Sequence, residues 1–259
     1  MTKLELVDSK TLNSNLSSLA DMIRKKTGKD EKLIFPEDFI ENIKNIEADP
    51  QKTIIGNYAF DGLSSFTLGQ DSHITNISKI GKFAFRGTHQ YPFSSSSSSS
   101  WCTFSNLEEL GESAFSGVTY LRYLAFDKTC LFTKLPDNLL SGTLSTVLDI
   151  WNSLDTTGDY IFANAKNKSS AVLILRQEDK VCKLGEGVFS NIPNFYDFIK
   201  TALYYGIFVP ESMIDAYKTD PSWSEYAKDD CILPVEKLTE DGTTTGNLSS
   251  SVKSQWGIK

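Results

Sequence analysis

The stretch Ile55-Gly-Asn-Tyr-Ala-Phe-Asp-Gly62 decides the fold, because it recurs. It returns as Ile80-Gly-Lys-Phe-Ala-Phe-Arg-Gly87, as Leu110-Gly-Glu-Ser-Ala-Phe-Ser-Gly117 and as Leu184-Gly-Glu-Gly-Val-Phe-Ser-Asn191. Two weaker copies lie between these. Leu135-Pro-Asp-Asn-Leu-Leu-Ser-Gly142 puts Pro for Gly and Leu for Phe, and Thr157-Gly-Asp-Tyr-Ile-Phe-Ala-Asn164 keeps Gly158 and Phe162. The second position falls at residues 56, 81, 111, 136, 158 and 185, in steps of 25, 30, 25, 22 and 27. Such steps match one stacked structural repeat. A glycine at the second position suits a tight turn. The Ala-Phe pair sends one large ring into the stack per repeat, so that Phe60, Phe85, Phe115 and Phe189 should form a spine. The closing Gly or Asn fits a left-handed residue that ends a short helical segment.

Apolar runs follow several copies: Leu121-Arg-Tyr-Leu-Ala-Phe126, Leu144 to Trp151, and Ala171-Val-Leu-Ile-Leu175. Stacked, they predict a parallel sheet along one wall of a solenoid. The expected class is therefore an α+β repeat, a leucine-rich-repeat solenoid of short parallel strands and short helices or turns, with helical caps at both ends. Alternation leaves half the strand side chains facing outward. The outward candidates for ligand binding are Arg122, Tyr123, Asp149, Trp151 and Arg176, with a core role as the alternative for Trp151.

A solenoid needs its end faces covered. Leu12, Leu16, Leu19 and Ile23 share one helix face, and Pro36 opens a second helix with Phe39, Ile43 and Ile46 as its buried stripe. Residues 1–50 thus read as a helical cap, 51–209 as about six repeats, and 210–238 as a second cap. In the latter, Pro210 and Pro221 stand at first helical positions, and Tyr217, Trp223 and Tyr226 cover the last repeat. The spacing over 194–205 predicts a longer helix in that repeat. Residues 239–251 are rich in Thr, Gly and Ser and lack periodicity, so 239–259 reads as a flexible tail.

The longest step contains Ser94 to Ser100, seven serines in a row, which predicts an insert over 88–103. Tyr91, Phe93 and Trp101 flank it. They read either as aromatic anchors of a mobile binding loop or as rings that return to the core.

The chain carries a net charge of −7 and has 40% hydrophobic residues. An acidic surface disfavours a nucleic-acid partner, and no apolar run is long enough to cross a membrane. The N-terminus lacks the apolar segment of an export signal, which predicts a virion-associated or cytoplasmic protein, alternatively one on a bacterial surface. The four widely spaced cysteines read as reduced thiols. No nucleotide, metal or nucleophile motif is found, so no cofactor and no metal is expected. A Cys102–His89 pairing is the one conceivable nucleophile and base, and it lacks an orienting third group.

The repeated I-G-x-x-A-F-x-G pattern resembles the BspA-like leucine-rich repeat, over about residues 52–210. The resemblance implies a solenoid that acts in adhesion and binding. The closing segment, Val209-Pro-Glu-Ser-Met-Ile-Asp-Ala-Tyr217 running into Trp223-Ser-Glu-Tyr-Ala227, is similar to segments that end such proteins. Leu19-Ala-Asp-Met-Ile-Arg-Lys-Lys-Thr-Gly28 followed by Leu33-Ile-Phe-Pro-Glu-Asp-Phe39 is similar to a module in tail and minor structural proteins of phages infecting Gram-positive bacteria. Together these imply a non-enzymatic, phage- or prophage-derived tail protein that holds a host-surface protein or glycan on its sheet face. A bacterial cell-surface adhesion protein is the second reading, and an enzyme the third. The sequence leaves the oligomeric state open.

Overall fold

The computed structural model describes residues 53–63, 73–88, 100–119, 121–144, 146–165, 171–192, 205–227 and 231–256. The chain divides into two compact units, residues 1–52 and 53–259. The helical hairpin expected over 10–47 lies outside the described residues, as does the helix expected over 194–205 apart from its last residue.

Each copy of the motif makes one corner of a coil. Its fourth residue has a positive φ in every copy: Tyr58 57°, Phe83 57°, Ser113 56°, Asn138 57°, Tyr160 58° and Gly187 56°. So does its eighth: Gly62 70°, Gly87 68°, Gly117 70°, Gly142 72°, Asn164 58° and Asn191 56°. The closing Gly or Asn is thus the left-handed residue that the sequence implies. Both weak copies keep the same geometry, so Leu135–Gly142 and Thr157–Asn164 are full members of the stack.

The N–H groups of alternate motif residues point along the solenoid axis and join each coil to the next. Phe60 N–H donates to the Ala84 carbonyl (2.8 Å), Phe85 to Ala114 (2.9 Å), Phe115 to Leu139 (3.1 Å), Leu140 to Ile161 (2.9 Å) and Phe162 to Val188 (2.8 Å). The side chains follow the backbone. Phe60 stacks on Phe85 at 5.4 Å, Phe85 on Phe115 at 5.3 Å, and Phe162 on Phe189 at 5.4 Å. Leu140 takes the ring's place in the fourth coil and is fully buried. Each stacked pair adds about 0.5–1.5 kcal/mol beyond the apolar area it buries.

The second-position glycines serve a different purpose from the one expected. None of Gly56, Gly81, Gly111, Gly158 and Gly185 has a positive φ. What all of them but Gly56, in the first coil, supply is room. A Cβ on Gly81 would stand 2.5 Å from Asn57 N, and one on Gly158 would stand 2.5 Å from Pro136 C. Neighbouring coils approach so closely here that a methyl group does not fit.

Two ladders of parallel strands run along the stack. β1 (Thr53–Ile55), β3 (Ile77–Ile80) and β5 (Glu109–Leu110) form the shorter one, which later coils reduce to single bridges from Lys134 to Thr156 and from Thr156 to Lys183. The longer has seven strands in chain order: β2 (His73–Ile74), β4 (Ser100–Phe104), β6 (Leu121–Phe126), β7 (Thr146–Ile150), β8 (Ala171–Leu175), β9 (Tyr205–Val209) and β10 (Ile232–Pro234). The expected strands at Leu121–Phe126 and Ala171–Leu175 are found with the bounds read from sequence. β4 corrects the expected insert over 88–103: Ser100 to Phe104 pair with Leu121 to Phe126, so Trp101 belongs to the wall, not to a loop. Residues 89–99 lie outside the described residues.

The inward strand residues Cys102, Phe104, Leu124, Phe126, Leu148, Ile150, Leu173 and Leu175 meet the phenylalanine spine in one buried core. Two short helices, α1 (Ile214–Thr219) and α2 (Ser224–Ala227), close its C-terminal end, each preceded by a 3-10 turn. Pro221 opens the second turn while Asp220 accepts the Ser222 N–H (2.9 Å). Pro210 stands one residue before its turn, as the N-cap and not at the first helical position. Tyr217 and Trp223 pack edge to face at 5.2 Å, and Trp223 Nε1 donates to the Cys182 carbonyl (2.7 Å). Tyr226 meets Phe189 at 5.4 Å and ends the spine. All four cysteines are buried.

Candidate functional site

The expected wall of outward side chains is largely covered. On β6 to β9 the outward residues Tyr123, Ala125, Val147, Val172, Ile174 and Phe208 form a second buried cluster, completed by Val235, Leu238, Leu248 and Val252. Leu248 and Val252 come from the segment expected to be a flexible tail, 239–259, whereas Val235 and Leu238 belong to the expected cap, 210–238. The expected tail is folded: after the 3-10 turn that ends the cap (Val235–Leu238) come an antiparallel bridge from Thr239 to Leu248 and a helix, α3 (Ser250–Trp256). It lies across the outer sheet face as a strap.

Tyr123, Asp149 and Arg176 sit beneath it, so the expectation that they face solvent is corrected. The parallel register sets Ala125 beside Asp149 and Asp149 beside Ile174, and alternation puts Arg176 on the same outer face as Ile174. Arg176 Nε donates to Asp149 Oδ1 (2.8 Å) and Nη2 to Oδ2 (3.0 Å), with the two side chains 2% and 0% exposed. Tyr123 Oη donates to Asp149 Oδ2 (2.8 Å). Burial pushes the Tyr123 hydroxyl well above its ordinary pKa, and the Asp149 carboxylate adds to the shift. Burial works against the Arg176 charge, but Asp149 outweighs it and holds the guanidinium above its usual value. Arg176 Nη1 donates to the strap carbonyls of Thr244 (2.7 Å) and Gly246 (2.9 Å). Its guanidinium carbon lies 3.9 Å from the centre of the half-buried Trp151 ring, a cation–π contact. Four of the five sequence candidates on this wall therefore meet in or beside one cluster, and that cluster is a clamp.

The fifth, Arg122, is exposed. The register skips it between Leu121 and Tyr123, so it bulges from the pairing with β4. Trp101, beside Tyr123 in register, is half-buried at the edge of the second cluster. Tyr91 and Phe93 lie outside the described residues.

Among the described residues, the polar cluster nearest in type to catalytic machinery is not arranged as such. His73 Nε2 is 2.6 Å from Ser105 Oγ, and Ser105 Oγ donates to Asp127 Oδ2. Although the residue types are those of a nucleophile relay, the order is wrong. The carboxylate holds the serine instead of the far nitrogen of the imidazole, and Ser105 is buried. Burial pushes the Asp127 carboxyl up, but hydrogen bonds from Ser105 and Thr129 outweigh it and hold it below the usual range. Cys102 is fully buried in β4, so it cannot serve as the nucleophile of the pairing with His89, which itself lies outside the described residues. No group of three or more metal-ligating side chains occurs among the described residues, and none of their helices is long and apolar enough to cross a membrane.

A surface groove of about 540 Å³ follows the Gly81–Gly111 track over the first four coils. Its rims carry Lys79 paired with Glu109, and Lys82 Nζ 3.4 Å from Glu112 Oε2. Beside it Tyr58 and Phe83 stack at 5.0 Å, and Arg86 lies 4.6 Å from the Phe83 ring centre while pairing with Asp61 (2.6 Å). The sequence reading missed both features, and the only available signal was an aromatic at the fourth position of two successive copies.

The family model for the BspA type leucine rich repeat region matches residues 37–90 and 88–202, in six copies. The chain belongs to this family. The match begins inside the segment expected as a helical cap, residues 1–50. Comparison with curated proteins and with solved structures returned no match.

Proposed function

We propose that this chain is a non-enzymatic recognition protein that holds a protein or glycan partner on the uncovered end of its outer sheet face. Its repeat family is one of protein-interaction solenoids. One observation carries the reading: Trp101 is half-buried at the edge of the second cluster, and Arg122, which bulges from the strand paired with it, is exposed. Tryptophan and arginine are two of the residue types most enriched in binding hot spots. The resemblance of residues 19–39 to phage tail modules favours a tail-associated setting, with the partner on the surface of a Gram-positive host.

The test is binding of the purified protein to an array of cell-wall glycans and to isolated host surface proteins, with Trp101→Ala and Arg122→Ala beside it. Binding that falls at least about tenfold in both variants, roughly the loss of one hot-spot side chain, supports the site. Binding that both variants retain overturns it.

A further inference from the structure

The strap is an unusual cover. Its solvent side, Glu240 to Thr243, Thr245 and Asn247, is exposed. On the sheet side its buried apolar side chains are Val235, Leu238, Leu248 and Val252, with Thr239 and Gly246 buried between them. The rest of the fastening is polar and concentrated at two points. Arg176 holds the carbonyls of Thr244 and Gly246. Glu236 accepts the Glu211 N–H at 3.0 and 3.1 Å, while the Thr244 hydroxyl it also accepts, at 2.9 Å, lies within the strap itself. None of the backbone ladders that join coil to coil runs beyond β10 into residues 235–256. The strip beneath is different in kind: Ala125, Val147, Val172, Ile174 and Phe208 are each no more than 1% exposed and sit on strands fixed by continuous parallel pairing. A rigid apolar strip covered by a lightly fastened segment opens locally before the strip itself unfolds.

We propose that residues 235–256 detach as a unit while the coils stay folded, and that the strip so uncovered takes up the same segment of a second copy. The strip's surface is shaped to this one segment: Tyr123, Val147, Val172 and Phe208 receive its aliphatic side chains, and the Arg176 guanidinium is already held by Asp149 to present Nη1 to two carbonyls. The external ligand that fits those contacts is the strap of another chain, as in exchange of an identical element between protomers. The inference stands apart from the binding reading at Trp101 and Arg122 and survives its failure.

The experiment uses the full chain and a strap-directed variant, Gly246→Ala. A Cβ there would overlap the Asp241 carboxylate, with Asp241 Cγ 2.8 Å away and Thr239 Cβ 3.0 Å away, so that its three nearest atoms all belong to the strap. Leu248→Asn, which removes one buried strap side chain, is the second variant. Hydrogen exchange followed by mass spectrometry reads the opening. The strap amides of Glu240, Gly246 and Ser249 should exchange at least about tenfold faster than the coil amides of Leu140 and Phe162, and both variants should widen the gap while leaving coil amides unchanged. A fluorescent peptide of residues 235–256, with native sequence, reads the vacancy. It should bind either variant at least about tenfold more tightly than it binds the native protein, whose strip is already filled at high effective concentration. Strap and coil amides exchanging at one common rate in all three proteins would overturn the detachment. Equal peptide affinity for variants and native protein, or none for any of them, would overturn the uptake in trans.

Discussion

Replacing Gly185 by alanine should cost the protein about 3–5 kcal/mol, whereas the same change at the equivalent Gly56 should be neutral or slightly stabilising. The argument is one of distance. A Cβ on Gly185 would overlap the Gly158 carbonyl oxygen, stand 2.6 Å from its carbon and lie 2.8 Å from Asp159 Oδ1. Since the obstacle is backbone, no rotamer relieves it, and the fifth and sixth coils must separate by roughly 1 Å, an overpacking cost of about 1–3 kcal/mol. Separation also stretches the Gly185 N–H bond to Thr157 Oγ1 (2.7 Å) and the Tyr160 N–H bond to Glu186 O (2.8 Å), each worth about 1 kcal/mol. Gly56 has nothing within 4 Å of the same position and no positive φ, so alanine there mainly removes freedom from the unfolded chain, a gain of about 0.4–1 kcal/mol. Urea titrations of the native chain and both variants, followed by tryptophan fluorescence and far-UV circular dichroism, give the comparison. If Gly185→Ala lies within about 0.5 kcal/mol of the native protein, or if Gly56→Ala destabilises as much as Gly185→Ala, coil-to-coil proximity is not why the motif carries glycine.

Three further outcomes follow from the geometry. Phe162→Ala, which empties a fully buried site stacked on Phe189, should cost about 3–5 kcal/mol in the same titration, against under about 1.5 kcal/mol for Phe162→Leu, the residue the neighbouring coil already uses at Leu140. Asp149→Asn should cost about 3–5 kcal/mol because it leaves the Arg176 charge buried without its counter-ion, and the double variant Asp149→Leu/Arg176→Met should recover part of that loss while still freeing the strap in hydrogen exchange. Stability should also fall at alkaline pH. Burial pushes the Cys130 and Cys182 thiols from 9.0 up to about 12, so their contribution is complete below pH 9 and is lost as pH rises towards 12, because the unfolded chain ionises first. Each thiol accounts for about 1.4 kcal/mol per pH unit in that window, and titrations at pH 8, 9.5 and 10.5 should show the slope flatten in Cys130→Ala/Cys182→Ala.

The coils were legible because their determinants are local and repeated. Two left-handed residues and a pair of apolar residues between them, Ala-Phe in three copies, leave the same mark six times, so even Leu135–Gly142, with neither the second-position glycine nor the phenylalanine, could be placed by its frame. The reason for the second-position glycine was not legible. A tight turn and a close approach select the same residue, and only the distance from Gly81 to Asn57 separates them. β4 was hidden by its neighbours: a run of serines reads as a loop, and its last member is already in the strand. The strap was hidden by its composition. Thr, Gly and Ser at 239–251 read as a flexible linker, and the holding contacts are backbone carbonyls taken by Arg176 together with four apolar side chains too far apart to show a period.

One signal for the strap did stand in the sequence, on the strand and not on the tail. A sheet with one face in the core and one in water alternates apolar with polar residues. Leu121-Arg-Tyr-Leu-Ala-Phe126 departs from that pattern, and Ala171-Val-Leu-Ile-Leu175 abandons it: five consecutive apolar residues, all buried, three facing the core and two facing outward. A strand apolar on both faces demands a cover on both. In a solenoid the motif corners supply only the inner one, so a further segment of chain, or a partner, has to supply the outer. The acid–base pair sharpens the inference, because Asp149 and Arg176 stand at outward positions of the same apolar wall, where burial beneath a cover requires them to pair. Towards the first strands the pattern turns polar: His73 and Thr103, in register with Ala125, and Arg122 at the bulge of β6 all keep contact with water, so the apolar outer strip that needs a cover ends there.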